Sequence, residues 1–406
     1  MLRIVVAPDS YKGSVSAMAV AEAMARGILQ VFPTAEVRKI PIADGGEGTV
    51  QALVSATAGQ LRVHEVSDPR GEKITAQWGV LGDGQSAVIE MAAASGLTLL
   101  NASRHDPRVT STYGTGELIR AALDAGLRKI IIGIGGSATN DGGAGMARAL
   151  GVRFTNAQGL ELPAGGAALA QLQHIDLTGL DTRLLETEIT VACDVDNPLC
   201  GARGASAVFG PQKGATPAVV AELDAALAHF AAHAQARTGR QVAELAGAGA
   251  AGGLGAGLLF FTPAKLSPGI DIVLDAVNFA EVVSDAAFVL TGEGHTDFQT
   301  AFGKAPVGVA RIAKQFQVPV FCLSGGLGQG ADAVLAQGID AVLSICDRPM
   351  PLEECMHRGS ALIESRRRLF EVFAGDPIPG LGRVDAIRKQ DGRWVVVTSK
   401  GLIVSR

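Results

Sequence analysis

The sequence predicts an α/β protein of more than one domain. Three observations carry that expectation: apolar, β-branched runs that stop abruptly at Gly and Asp, helical stripes between those runs, and a length of 406 residues. Domains of roughly 100–200 residues are the norm, so two or three are expected here. Strand alternating with helix is the pattern of α/β architecture.

The first run, residues 2–7, meets Pro8-Asp9-Ser10, and continuous apolar runs of this length read as strands buried on both faces. A helix follows over 16–30, with Ala17, Val20, Ala21, Met24 and Ile28 on one stripe. Ser14 or Ser16 is its expected cap, and Gly27 and Pro33 mark its end. Further strands are expected at 37–43 before Asp44-Gly45-Gly46, at 129–134 before Gly135-Gly136-Ser137, at 189–193 before Asp194, and at 287–291 before Gly292-Glu293-Gly294. Residues 245–264 contain no charge and are long enough to span a bilayer. Six glycines and Thr262-Pro263 favour a Gly-rich loop leading into a short buried helix instead. Late in the chain, Arg366-Arg367-Arg368 precedes a Pro- and Gly-bearing stretch, and 394–405 reads as a hairpin around Ser399-Lys400-Gly401.

Composition excludes several function classes. Apolar residues make up 48% and charged residues 18%, too apolar for disorder. A net charge of −5 lacks the basic footprint that nucleic-acid binding needs. The five cysteines form no CxxC pair and leave one unpaired, which fits reduced thiols in a cytoplasmic protein better than disulfides or zinc. The N-terminus has no basic stretch or cleavage site, so no signal peptide is expected, and the chain reads as soluble with no membrane partner.

The chemistry concentrates in loops after the strands, where ligands bind in open α/β sheets. Asp9-Ser10-Tyr11-Lys12-Gly13-Ser14 sets an ammonium beside a helix N-terminus, suited to phosphate or carboxylate, or else forms a capped turn with a solvated Lys. Asp44-Gly45-Gly46-Glu47-Gly48 places two carboxylates among glycines, or an N-cap with an acidic first turn. The run 133–143 offers N–H donors, hydroxyls at Ser137 and Thr139, the amide of Asn140 and the carboxylate of Asp141, and reads as a ligand loop. Residues 110–117 have a similar density around Thr115. Asp194 and Asp196 alternate on an extended segment ahead of Asn197-Pro198 and so can face one metal, or stack as Asx-turns. Lys213 sits in a turn, and Glu293, Asp297 and Lys304 follow a strand. There is no G-x-x-x-x-G-K-[ST], and the G-x-G-x-x-G match at 247–252 lacks the preceding strand that dinucleotide binding requires.

In this order, APDSYKGS, ADGGEGT, TYGTGEL, GIGGSATNDGGAG, ACDVDNPLCG, FGPQKGA and TGEGHTDFQ followed by GKAPVGVA resemble the bacterial glycerate kinase family, over residues 1 to about 347. The resemblance implies phosphorylation of D-glycerate by ATP without a Walker motif. It implies a flavodoxin-like parallel-sheet domain (1–70 plus 285–365) with a second α/β domain (71–284) inserted into it, substrates between the two, and a C-terminal extension at 366–406. Among the matching positions, Asp194, Asp297 and Lys12 are the candidate catalytic residues, with Asp194 or Asp297 deprotonating a glycerate hydroxyl. Asp9, Ser10, Thr115, Ser137, Asn140, Asn197, Lys213 and Lys304 are candidates for substrate and nucleotide binding, and Asp44, Glu47, Asp141, Asp196 and Glu293 for Mg²⁺. The 2-phosphate is favoured as product over the 3-phosphate, and a homo-oligomer is compatible with the sequence. A non-catalytic metabolite-binding regulator, an NAD-dependent hydroxy-acid oxidoreductase and a metal-dependent phosphatase are the competing readings.

Overall fold

The computed structural model describes residues 2–43 and 45–365 in full, and beyond them the backbone of 377–378, 382–390, 393–398 and 401–404. The chain is α/β with parallel sheets and divides into two compact units, residues 1–42 with 277–406, and residues 43–276.

The first unit carries a five-stranded sheet in the order Ala341–Ser344, Val320–Leu327, Phe288–Thr296, Arg3–Pro8, Glu36–Lys39, with every neighbouring pair parallel. Counted along the chain within this unit the order is 2-1-3-4-5, the flavodoxin-like order. Consecutive residues Ile4, Val5, Val6 and Ala7 are all fully buried, as a strand covered on both faces requires. Helix Ala17–Val31 is capped by Ser16, whose Oγ accepts the Ala19 N–H at 3.4 Å. It buries Val20, Ala21, Met24 and Ile28 on Ile4, Val6 and Leu290. It runs through Gly27 rather than ending there. The second strand is shorter than its apolar run, stopping at Lys39.

The second unit holds a six-stranded sheet in the order Lys265–Ser267, Glu188–Ala192, Lys129–Gly133, Ser86–Glu90, Lys73–Val80, Gln60–Ser67. The first four strands are parallel and the last two add antiparallel. Gln60–Ser67 and Lys73–Val80 form a hairpin, and the domain boundary expected after residue 70 would cut its turn. The compact unit instead begins at Ala43. The other expected boundary, after 284, moves to 276, because helix Phe279–Val283 belongs with the first unit. Helix Ala250–Phe261 supplies buried Leu254, Leu258, Phe260 and Phe261 to the core. Its first turn is broken by positive φ at Ala251, Gly252 and Gly253. Among the described residues no helix is long and apolar enough to cross a membrane.

In the C-terminal segment the strands Pro377–Ile378, Gly382–Gln390, Arg393–Thr398 and Gly401–Val404 form an antiparallel sheet. The expected hairpin is there, with Thr398 opposite Gly401. Its tip, Ser399-Lys400, lies outside the described residues, as do 366–376.

Candidate functional site

In the first unit the candidate residues gather at the carboxyl ends of two adjacent parallel strands, Arg3–Pro8 and Phe288–Thr296. This pair is the point where the strand order reverses, the position at which open α/β sheets bind ligands. Asp9 and Ser10 leave the first strand, with the Asp9 N–H donating to Gly292 O at 2.8 Å and the Ser10 N–H to Asp9 Oδ1 at 2.6 Å. Tyr11 turns inward and donates to Leu323 O at 2.8 Å, which leaves Lys12 at the exposed tip of the turn. Gly292 and Gly294 permit this approach. A Cβ on Gly292 would stand 2.0 Å from Leu323 O, and one on Gly294 would stand 3.2 Å from the Lys12 N.

Glu293, within strand Phe288–Thr296, is 8% exposed. Its Oε1 accepts hydroxyls from Thr300 at 2.7 Å and Thr296 at 3.0 Å. Burial pushes its carboxyl up, against the hydroxyls of Thr300 and Thr296 and the charge of Lys304, with a smaller upward push from Asp297. Asp297 caps the short turn Phe298–Phe302, its Oδ1 accepting the Gln299 N–H at 2.9 Å while its own N–H donates to Thr300 Oγ1 at 3.2 Å. Lys304 is the residue before helix Ala305–Gln315. Asp9, Ser10, Lys12, Glu293, Asp297 and Lys304 are thus brought to one sheet edge.

In the second unit, Glu90, Gly133, Ala192 and Ser267 end four parallel strands side by side. The Gly45-Gly46 segment crosses these ends closely enough that a Cβ on Gly45 would lie 2.5 Å from Ala192 Cβ, and one on Gly133 would lie 2.4 Å from Gly45 O. Glu47 is exposed beside it, and Asp44 lies outside the described residues. Asp194 is exposed and accepts the Gly269 N–H at 2.8 Å. Asp196 pairs with Arg203 at 2.8 Å, and Asn197 Nδ2 donates to Arg203 O at 2.8 Å. The two alternating carboxylates therefore engage different partners.

The run 133–143 is organised differently from its sequence reading. Gly135 and Gly136 are exposed, whereas Ser137, Thr139, Asn140 and Asp141 are buried. Lys213 is also buried and donates to Ser137 Oγ at 2.6 Å and Thr139 O at 2.7 Å. Burial lowers it to about 7 against the pull of Asp141. Asn140 Nδ2 donates to Ser206 Oγ at 2.9 Å while its Oδ1 has no partner. Buried Thr115 shares a 2.8 Å hydrogen bond with Ser95. These side chains brace the loop from inside and leave its glycine backbone exposed.

Among the described residues no group of three or more His, Cys, Asp or Glu is placed to hold an ion. Asp141 does not fit a metal. Its Oδ2 takes the N–H groups of Thr112 and Gly145 at 2.8 and 3.1 Å, and its Oδ1 takes that of Gly143 at 3.1 Å, with Thr112 Oγ1 on both. Glu293 does fit, since both hydroxyls use Oε1 and Mg²⁺ needs few protein carboxylates beside phosphate and water. The G-x-G-x-x-G match follows helix Pro217–Thr238 without an intervening strand, as expected.

One residue that the sequence reading passed over is Glu90. Its Oε1 accepts the Val50 N–H at 2.8 Å, and the N–H groups of Gly48 and Thr49 favour its charged form against burial, which pushes the carboxyl up. It anchors the start of helix Thr49–Ala56 and thereby the loop carrying Glu47. The available signal was an apolar strand, Ala87 to Ile89, ending on an acid.

A family model described as the glycerate kinase family matches residues 4–373. The glycerate kinase of Halalkalibacterium halodurans is 52% identical over 374 residues, covering 92% of this chain and 98% of its own. The glycerate 2-kinase of Escherichia coli is 51% identical over 353 residues, covering 87% and 93%. A crystal structure of a protein assigned as glycerate kinase 2 from Salmonella typhimurium LT2 is similar with a TM-score of 0.84 at 50% identity, covering 91% of this chain and 97% of that one.

Proposed function

Because the chain belongs to the glycerate kinase family, we propose that it transfers the γ-phosphoryl group of ATP to D-glycerate, at the 2-hydroxyl in preference to the 3-hydroxyl, with Mg²⁺. The observation that carries this reading is the gathering of two lysines and three carboxylates at the switch point of the first unit's sheet. Phosphoryl transfer asks for little covalent chemistry from the protein and much positioning and charge neutralisation. Lys12, on an exposed turn held by Tyr11, and Lys304, at a helix start, supply positive charge to phosphate oxygens. Glu293 is the residue assigned to Mg²⁺, which when bound neutralises charge on the phosphates.

Asp297 is the assigned base. One carboxylate oxygen is fixed by the turn it caps, which orients the other. As the alcohol oxygen bonds to phosphorus and the bond to ADP breaks, the alcohol proton passes to Asp297. Ser10, in the same unit, is assigned to substrate binding, and in the second unit Asp194 and the exposed Gly135-Gly136 backbone are the binding candidates.

Asp297→Asn keeps an oxygen for the Gln299 N–H and removes the base, so kcat falls at least about a hundredfold with the fold intact. Lys12→Ala falls on the same scale, because a contact that strengthens in the transition state is lost. Chelation abolishes turnover and added Mg²⁺ restores it. Near-normal ADP release by either folded variant removes that residue from the mechanism.

A further inference from the structure

Strand Ala341–Ser344 ends two residues before Cys346, one of a pair of thiols that no part of the proposed reaction uses. Cys346 Sγ and Cys355 Sγ lie 3.2 Å apart and stand as separate thiols. Cys346 is half-buried, its sulfur against Gly325 O at 3.6 Å, whereas Cys355 is buried on helix Leu352–His357. Neither is a lone cysteine, and they stand nine positions apart in the chain. A disulfide needs its sulfurs at about 2.0 Å, so roughly 1 Å of motion closes this one.

We propose that Cys346 and Cys355 are a dithiol–disulfide modification site that takes a low-molecular-weight disulfide, such as glutathione disulfide, as its oxidant and shifts the turn at residues 11–14 when it closes. The turn is coupled to the pair by two contacts. Ser14 Oγ donates to Met356 O at 2.5 Å, one residue beyond Cys355. Tyr11 shares its buried cluster with Cys355 and Ile345, with Cys346 packed against it. A helix drawn towards Cys346 therefore pulls the backbone that presents Lys12. That this alters turnover rests on the function proposed above. The closing of the bridge does not.

The chemistry balances without a further reactant. Cys346, the more exposed thiol, attacks the oxidant as thiolate, forms a mixed disulfide and releases one glutathione thiolate. Cys355 then attacks the Cys346 sulfur, forms the internal disulfide and releases the second. The two cysteine protons end on the two glutathiones, so the pair is oxidised by two electrons and the oxidant is reduced by two. Burial pushes Cys355 up to about 11, which disfavours it as the first attacking thiol and leaves that step to the more exposed Cys346.

The test treats the full-length protein with glutathione disulfide, maps peptides by mass spectrometry, and follows hydrogen exchange before and after reduction with dithiothreitol. The expected result is a 346–355 cross-linked peptide, the loss of two hydrogens from the intact mass, and an exchange rate across residues 9–15 that changes at least about threefold and reverts on reduction. Cys355→Ser stops with one glutathione on Cys346, and Cys346→Ser forms no bridge, while Cys200→Ser behaves as the parent. An uncross-linked wild type overturns the proposal, as does a bridge that leaves exchange at residues 9–15 unchanged. Because neither readout passes through catalysis, both stand whether or not glycerate is the substrate.

Discussion

Lys213 shows why residue type and spacing identify a loop without identifying what each side chain does there. Sequence places it in a Gly-flanked turn as a candidate ligand group. In the fold it is 1% exposed and spends two N–H groups on Ser137 and Thr139. Its ammonium is lowered from 10.5 to about 7 by burial, so between those values the unfolded chain binds more protons than the folded one. Stability therefore rises as pH goes from about 7 towards 10.5, and the cost of the buried charge is complete below about 7. Thermal melts across that window should show Lys213→Met losing this rising component relative to the parent. Parallel pH profiles for the two proteins would contradict it. The same contrast holds within 133–143, where the density of polar groups was legible and the inward turn of Asn140 and Asp141 was not, since side-chain direction depends on the helices packed beneath. Asp9, Lys12 and Asp297 stand out in the sequence because each lies just beyond an apolar strand, where α/β sheets place ligands, whereas Glu293 lies inside strand Phe288–Thr296 and Lys304 precedes a helix.

Elements were readable wherever an apolar run met a Gly or Asp stop, and less so where a turn was compact. The hairpin Gln60–Ser67 and Lys73–Val80 is hard to read from sequence because polar residues interrupt its apolar ones, two of which, Leu61 and Val63, are exposed, and its turn is only Asp68-Pro69-Arg70-Gly71-Glu72. Buried Asp68 closes that turn, its Oδ1 accepting the N–H groups of Arg70 and Glu72 at 2.7 and 2.9 Å. Asp68→Ala strands both donors and should cost about 1–3 kcal/mol by denaturant titration. Gly27 was read as a helix end, yet it sits inside Ala17–Val31 because a Cβ there would stand 2.9 Å from Glu364 O. Helix propensity alone predicts that Gly27→Ala stabilises by up to about 1 kcal/mol. Close packing against helix Gly359–Ser365 predicts the opposite, and a lowered melting temperature is the expected outcome.

At the scale of the whole molecule, seven motifs in fixed order identified the family, and the family model matches 4–373. The unit boundaries were less legible, because the chain crosses from one sheet to the other at residues 42–43 within a Gly-rich loop whose composition gives no break. The second unit is one continuous segment with its own sheet and cores, so residues 43–276 expressed alone should unfold cooperatively. The first unit needs both of its segments for its five strands, and either segment alone should not. Circular dichroism on the three fragments checks both expectations. The central claim, transfer of phosphoryl to the 2-hydroxyl of D-glycerate, is tested most directly by a ³¹P NMR time course of the protein with D-glycerate, ATP and Mg²⁺. The account predicts a new phosphomonoester doublet growing with ADP, the splitting expected of a phosphate on a carbon bearing one proton. A triplet would place the phosphate on the 3-hydroxyl, and an unchanged ATP spectrum from folded protein would contradict the kinase assignment itself.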